Sequence, residues 1–397
     1  MATCILSCNF IGLNSLFFMK YLLSIGMFLL LGSSLFSQID STQIKKLSFT
    51  GDFRFRVEQD WDSRKSDGTY RDNRSRLRYR FRFGMNYQVT EWAEFGMRIR
   101  TGFGEKQQDP HLTLGDGFNE FGSVPIGFEK LFFKAQYNKF MGWVGKNTFP
   151  FEKQNELFWS DNVYPDGVFI SGKFPFESSI IESLQLNTGH FILASSGSTF
   201  DQDQYFQGIQ VVTSHFNDRL KVFPSFYYFH KMPNIPDGNE TFYLDYSIFH
   251  IGTKMLVFEK PVIQMGLDYY HNFEDLEENN FISQQFKNQT NGVVASIGIG
   301  KLKKKGDWFF LTSFSYLERY AIVDFFAQND WVRWDYSSQG SPDGRLSNFK
   351  GIELSAGYLI GNNFRLKARY FMVGQLIPYG VAKETGNRIR LDLDIGF

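Results

Sequence analysis

Polar and apolar side chains alternate strictly along residues 74–83, which read Arg-Ser-Arg-Leu-Arg-Tyr-Arg-Phe-Arg-Phe. Five arginines occupy every second position, and Leu77, Tyr79, Phe81 and Phe83 stand between them. A repeat of two is typical of a β-strand, because successive side chains of a strand point to opposite faces. A soluble sheet would bury the apolar face in a core, whereas a membrane barrel would turn it toward lipid and the arginines toward a wet interior.

The same alternation continues along the chain in segments of about ten residues, the length that a tilted strand needs to cross a bilayer. Beyond the N-terminal region there is no apolar run of about 18 residues, which excludes a bundle of membrane helices. We predict sixteen strands, at 47–58, 74–83, 93–103, 128–137, 141–151, 166–173, 184–194, 205–214, 219–230, 241–257, 261–272, 291–302, 307–320, 348–360, 363–373 and 387–397.

The connections between these segments alternate in length: seven short turns are interleaved with eight longer loops. Short connections at one end and long ones at the other are typical of outer-membrane barrels. A soluble sandwich has no reason to sort its loops, and a solenoid would show a fixed repeat that this sequence lacks. We therefore predict an all-β fold, a transmembrane antiparallel up-and-down β-barrel of about sixteen strands. The loop 152–165 is a candidate for a connection that folds inward to narrow the pore, and the sequence leaves open whether it does so.

The N-terminus is expected to be a targeting segment, followed by a short periplasmic stretch and then the barrel. Lys20 and the apolar residues 21–31, followed by small residues, resemble a secretory signal peptide. We predict a signal peptide over 1–37 with Met19 as the true start, a periplasmic segment over 38–46, and the barrel over 47–397. Both cysteines, Cys4 and Cys8, precede the signal, so the exported chain would hold no disulfide or thiolate metal site.

The final segment, 388–397, has an apolar residue at every odd position and a polar residue or glycine at every even one, and it ends on Phe397. A terminal strand of this kind resembles the signal by which the barrel-assembly machinery recognises outer-membrane proteins. Phe397 is therefore expected to be an assembly signal.

Several stretches resemble one known family. They are Gly-Asp-Phe-Arg-Phe-Arg-Val-Glu at 51–58, the arginine-rich strand, residues 96–102, Gly-Lys-Asn-Thr-Phe-Pro-Phe at 145–151, and Trp159, Asp161 and Pro-Asp-Gly at 165–167. The chain is similar here to the "putative porin" family of Gram-negative outer membranes, and its opening motif also resembles alginate-export-type barrels. Ser160 departs from the acidic residue expected beside Trp159. The resemblance implies an outer-membrane channel and no transferable binding residues.

The inward faces of the first three and last three strands are strongly basic. The predicted lumen bases are Arg54, Arg56, Arg74, Arg76, Arg78, Arg80, Arg82, Arg98, Arg100, Arg365, Lys367, Arg369, Arg388 and Arg390. The acids on these faces are Asp52, Glu58, Glu94, Glu353, Asp392 and Asp394, which leaves an excess of eight positive charges. A pore lined in this way attracts anions. We predict a porin, a passive diffusion channel for small hydrophilic solutes that favours anions.

Other interpretations of the same residues stay open. The arginines can be paired with acids on neighbouring strands, or Arg74 and Arg76 can contact lipopolysaccharide at the outer rim. Export of a polysaccharide or oligosaccharide is the alternative function. Trp331 and Trp334, with Arg333 between them, are expected to be interface or loop-packing aromatics more than a sugar platform. Outer-membrane lipid is an expected partner, and the oligomeric state is left open.

An outer-membrane hydrolase is the remaining alternative, and the sequence offers little for it. None of the six histidines has a serine two residues away; His190, near Ser195 and Ser196, comes closest. Asp109, Asp116 and Glu120 match no calcium motif. We therefore predict no enzyme activity, no cofactor and no metal. Zero net charge argues against nucleic-acid binding.

Overall fold

The computed structural model describes residues 46–104, 108–115, 117, 120–176, 180–235, 242–331 and 347–397. The chain divides into two compact units, Met1–Ser48 and Phe49–Phe397. The predicted signal peptide lies outside the described residues, as does nearly all of the predicted 38–46 segment. Asp116, Arg333 and Trp334 lie outside them too.

The described residues are almost entirely strands and their connections. The strands are β1 (Leu47–Arg64), β2 (Arg74–Thr90), β3 (Ala93–Thr101), β4 (Leu112–Thr113), β5 (Ile126–Tyr137), β6 (Phe140–Lys146), β7 (Asp166–Pro175), β8 (Ser183–Ala194), β9 (Gln204–His215), β10 (Leu220–Pro233), β11 (Tyr243–Glu259), β12 (Val262–Asn272), β13 (Asn291–Gly300), β14 (Trp308–Leu317), β15 (Phe349–Gly361), β16 (Phe364–Gln375) and β17 (Thr385–Gly396). Three 3-10 helices cover Phe200–Gln202, Gln284–Phe286 and Asp324–Phe326. No helix within the described ranges is long and apolar enough to cross a membrane.

The strands close into one antiparallel barrel. Each wall strand pairs with its neighbours in the chain, and β17 pairs with β1 from Asp52↔Gly396 onward, so that the wall closes on itself. The backbones of Gly51 and Phe397 exchange two hydrogen bonds at this seam, of 2.8 and 3.0 Å. The two-residue strand β4 pairs with β2 from within a long connection. The other sixteen strands of the described chain form the wall, which confirms the predicted count.

Side-chain direction follows the alternation. Outward residues are apolar and exposed, such as Leu77 (46%), Ile170 (53%) and Leu391 (48%). Inward residues at the alternate positions of β2, such as Arg78, Arg80 and Arg82, are buried. Exposed aromatics gather near the shorter connections, as Trp92, Tyr137, Phe140, Phe216, Phe258, Trp308 and Phe364. An apolar band with aromatic residues at its border is how a barrel sits in a bilayer.

The connections sort as expected, with turns of two to seven residues at one end and loops of at least nine at the other. One predicted strand, 141–151, is wrong in its second half, because β6 ends at Lys146. Gly145 there has φ +108°, and a Cβ on it would lie 2.5 Å from the Leu131 carbonyl oxygen. The chain leaves the wall at this glycine and turns into the barrel.

Candidate functional site

The arginines of β2 lie in file inside the barrel, about 6.8 Å apart along the strand, and each meets a carboxylate. On the β1 side Arg74 pairs with Asp60 at 2.9 Å, Arg76 with Glu58 and Arg80 with Asp52. Arg78 donates to Asp109 at 2.6 Å and Arg82 to Glu129 at 2.7 Å. The ion pairs offset the repulsion between neighbouring guanidinium groups that the sequence leads one to expect.

Bases and acids also lie opposite one another at the seam between β1 and β17. A base faces an acid at four successive inward pairs of this seam: Arg54↔Asp394, Arg56↔Asp392, Glu58↔Arg390 and Asp60↔Arg388. Arg56 donates to both oxygens of Asp392, at 2.6 and 2.8 Å, in the fork geometry that suits guanidinium and carboxylate. Arg388 reaches Asp60 and Arg390 reaches Glu58, each at 2.5 Å.

The remaining predicted lumen bases are also paired, with one exception. Arg98 and Arg100 lie 2.6 and 3.8 Å from Glu129, and Arg365 lies 3.8 Å from Asp394. Arg369 bonds Glu353 at 2.7 Å and also Asp330. Within the described residues Lys367 is the member of the predicted set that forms no ion pair.

The predicted excess of eight charges is therefore too large. The structure adds four carboxylates to the six counted from the sequence, Asp60, Asp109, Glu129 and Asp330. Among these groups the excess falls to four. Arg74 and Arg76 point to Asp60 and Glu58 on the barrel wall, which supports pairing over contact with lipopolysaccharide.

The opposite half of the lumen is filled by residues 147–165, here called the constricting loop. Phe149, Phe151, Phe158 and Trp159 of this loop are almost fully buried. Phe158 stacks on Tyr227 of β10 at 4.7 Å and on Tyr270 of β12 at 5.6 Å. The inward residues of β7–β12 match them, since Phe169, Phe191, Phe206, Phe229 and Ile248 are all 2% exposed or less. The loop thus narrows the barrel, which the sequence had left open for residues 152–165.

Polar side chains of the wall also hold the constricting loop. Gln210 accepts from the Glu152 N–H at 2.7 Å and donates to its carbonyl oxygen at 2.9 Å. Asn155 donates to Asp268 at 2.5 Å. On the basic side, Arg98 donates to the Tyr164 hydroxyl at 2.5 Å. Burial raises the pKa of Tyr164 to about 12, so its hydroxyl stays neutral and donates to the Asp161 carbonyl oxygen at 2.6 Å. The loop is tied to both halves of the wall.

A second inward segment, residues 318–331, lies against the constricting loop. The Ser160 N–H donates to the Phe326 carbonyl oxygen at 2.8 Å. The Gln328 N–H donates to the Glu156 carbonyl oxygen at 2.9 Å. Trp331 packs on Phe349 and Phe371, 5.8 and 5.5 Å between ring centroids. The prediction that Trp331 is a loop-packing aromatic is confirmed.

Two neighbouring cavities remain between the inward segments and the wall. The first, of about 230 Å³ and here called the basic cavity, is lined by Arg54, Arg56, Arg80, Arg82, Lys367 and Arg369, together with Glu156, Asp161, Asp330 and Asp392. Among the described residues that line it, charged bases outnumber acids by six to four. The Nε atoms of Arg80 and Arg82 are buried there without a hydrogen-bond partner in the described part of the chain.

The second cavity, here called the amide cavity, has a volume of about 340 Å³. Its neutral polar lining is Gln154, Asn155, Ser296, Ser313 and Gln328, and its apolar lining is Leu157, Val294, Leu311 and Trp331. Three bases and three acids also line it, so that its charges balance: Lys153, Lys367 and Arg369, and Glu156, Asp161 and Glu353. Glu156, Asp161, Gln328, Lys367 and Arg369 line both cavities, so the two are adjacent.

A buried polar row escaped the sequence analysis. Ser225 of β10 lies opposite His250 of β11, and Asp268 of β12 lies diagonal to His250, opposite Gly252. His250 Nε2 is 2.7 Å from Asp268, and Nδ1 is 3.4 Å from the Ser225 hydroxyl. The sequence search compared residues within one strand, whereas these three meet across strands. The register of the hairpins was the signal that could have found them.

The other sequence candidates are placed apart from one another. His190 faces outward and contacts Gln207 at 3.0 Å, while Ser196 bonds Asp203 in the loop that follows β8. Asp109 binds Arg78, and the described residues hold no group of three or more acids, histidines or cysteines able to bind a metal.

Known proteins resemble the chain in sequence and in fold. Residues 65–245 match the model of a family described as "Putative porin", which confirms the predicted resemblance over that part. No curated protein matches the chain. The OprB structure of Pseudomonas putida is 14% identical with a TM-score of 0.53, over 91% of this chain and 97% of that one. A porin of Rhodopseudomonas blastica (13% identity, TM-score 0.49, 88% and 100% covered) and OmpT of Vibrio cholerae (12%, 0.48, 88% and 99%) are also similar.

Proposed function

We propose that this porin of the Gram-negative outer membrane is a passive diffusion channel for small hydrophilic solutes and that its lumen favours anions. The observation that carries the proposal is the basic cavity, in which charged bases outnumber acids among the described lining residues at the place where the inward segments narrow the barrel. A solute that crosses the barrel passes these groups at close range.

A small charge excess matters here because the passage is narrow. The Debye length is about 8–10 Å in ordinary salt, so charges across a narrow passage act on an ion with little screening. The six bases that line the basic cavity attract anions, and their excess over the four acids repels cations.

Two arginines of the same strand test the selectivity. Arg80 and Arg74 both pair with one carboxylate of β1, but only Arg80 lines the basic cavity. We expect Arg80→Ser to lower the anion-to-cation permeability ratio about twofold, the effect of one unit charge at several Å in water. This permeability ratio is measured from the reversal potential in a salt gradient across a planar bilayer. Arg74→Ser, the matched control, should leave the potential unchanged.

The outcomes separate the alternatives. A reversal potential near zero for the parent protein would favour a purely structural role for the ion pairs. Equal shifts in both variants would locate the selectivity in the general charge of β2. A protein that conducts nothing would not be a channel.

The same geometry bears on the alternative of polysaccharide export. The cavities of about 230 and 340 Å³ suit small solutes, because a polymer needs a continuous wide path. We infer that the apolar outer band contacts outer-membrane lipid and that Phe397 serves as the signal for the barrel-assembly machinery. Deletion of Phe397 should reduce membrane insertion more than it reduces the stability of the folded barrel.

We infer that Ser225, His250 and Asp268 anchor the constricting loop and are not a hydrolytic centre. Ser225 is 4% exposed and lies on the wall beneath the loop, and its hydroxyl already accepts from Gln210 at 2.9 Å. A serine nucleophile must meet its substrate. Covalent labelling of Ser225 by a fluorophosphonate in the folded protein would overturn this inference.

A further inference from the structure

The two adjacent cavities differ in chemistry, and one small solute can use both. From this pairing we propose that the channel holds a binding subsite for a monosaccharide that carries a single carboxylate. The inference rests on the proposed function and goes further by naming the class of solute. The carboxylate would lie in the basic cavity and the sugar ring in the amide cavity.

The basic cavity carries more positive than negative charge. Arg80 and Arg82, which are 5% and 8% exposed, line it together with four other bases, against four acids. A bound carboxylate supplies acceptor oxygens for the N–H groups of such cations. Charge-assisted bonds of this kind are stronger than neutral ones.

The amide cavity offers the chemistry that sugar hydroxyls need. Gln154 and Gln328 carry amides, and Ser296 and Ser313 carry hydroxyls, so each group can both donate and accept. The charged residues of the same lining add further groups, since Lys153 can donate to ring oxygens and Glu353 can accept from ring hydroxyls. The cavity volume of about 340 Å³ is at the lower end of small-molecule sites.

Lys367 stands where the two cavities meet. It lines both of them, and it makes no ion pair with any residue that the structure describes. Its ammonium group can reach either the carboxylate or a ring hydroxyl of one bound solute. A neutral sugar would leave the basic cavity unsatisfied, and a simple carboxylate would leave the amide cavity unused.

The test is block of single-channel current by added solutes, with the full chain refolded into planar bilayers. D-glucuronate, D-glucose and acetate are compared at equal concentrations, with the current carried by potassium chloride. We expect half-block by glucuronate at about a tenth of the concentration that either of the other two requires, since 1.4 kcal/mol of additional contact is tenfold.

Two variants and one control locate the site. Lys367→Met should raise the half-blocking concentration of glucuronate about fivefold by removing a charge-assisted bond. Ser313→Ala should raise it about twofold, the effect of one neutral hydrogen bond. Lys221→Met removes a lysine near the short-turn end of β10 that lines neither cavity, and it should change nothing. Heat-dependent migration in gels confirms that each variant is folded.

Each remaining outcome overturns the inference. Equal block by glucuronate and acetate would mean a plain anion site, and equal block by glucuronate and glucose a neutral sugar site. No block by any solute would mean no subsite. In all three cases an anion-favouring reversal potential would still support the proposed function, whereas a protein without conductance would defeat both.

Discussion

The two halves of the barrel face the lumen with different chemistry. Strands β1, β2 and β17 present arginines and carboxylates that bond one another across neighbouring strands. Strands β7–β12 present aromatic rings, which the constricting loop covers. The charged half is held by pairs within the wall itself, and the aromatic half by a segment that leaves the wall and returns.

The difference shows how a barrel of this size keeps a narrow passage. A sixteen-stranded wall encloses more space than its own side chains fill, so the interior needs added material. The constricting loop packs on the apolar half because the aromatic rings of the loop can be buried against the rings of the wall. The charged half stays beside the cavities because buried charges require partners and water. The basic cavity therefore lies beside the charged half of the wall.

The largest effect is expected from a carboxylate that serves two arginines. Glu58 is 1% exposed and pairs with Arg76 and Arg390. Glu58→Gln removes the counter-charge of the half-buried Arg76 and one of the two carboxylates that pair with the buried Arg390, and it should destabilise the barrel by about 3–5 kcal/mol. Urea unfolding in detergent micelles measures the change.

The matched control for that prediction is Asp67→Asn. Asp67 pairs with Lys65 at 3.4 Å in an exposed loop, and loss of such a pair should leave the urea midpoint almost unchanged. If both variants unfold at the same urea concentration, the ion pairs of the seam contribute little to stability.

A slightly smaller effect is expected on the aromatic side. Phe158→Ala removes a ring that stacks on Tyr227 and Tyr270, at a cost of about 3 kcal/mol. Because this ring holds the constricting loop down, single-channel conductance should also rise. Phe226→Ala, on the outer face at 41% exposed, is the control. An unchanged conductance in Phe158→Ala would show that the loop stays in place without the ring.

The smallest effect is expected at the open end of the charged network. Arg365 is half exposed and lies 3.8 Å from Asp394, whereas Arg54 bonds the same carboxylate at 2.5 Å. Arg365→Ser should cost less than about 1 kcal/mol, and Arg54→Ser distinctly more. Urea midpoints of the two variants compare them directly. The reverse order would mean that exposure does not govern the strength of these pairs.

Much of the wall could be predicted residue by residue. The alternation in 74–83 and 388–397 identified which side chains face lipid, and the structure keeps that assignment at Leu77 and Leu391. The partners of the arginines were harder to find. Asp60 stands beyond the predicted end of the first strand, and Glu129 turns inward next to a register shift between β3 and β5. Neither position follows from a simple repeat of two.

The sequence by itself determined the barrel, its approximate strand number and its two faces, because a repeat of two is a local property and the bilayer sets the strand length. Only the tertiary structure decided the charge balance of the lumen and the course of the constricting loop. Arg56 and Asp392 are separated by 336 positions in the sequence. The constricting loop has no periodic pattern of polar and apolar residues from which its position could be predicted. Charge pairing and loop packing depend on which distant residues meet in space.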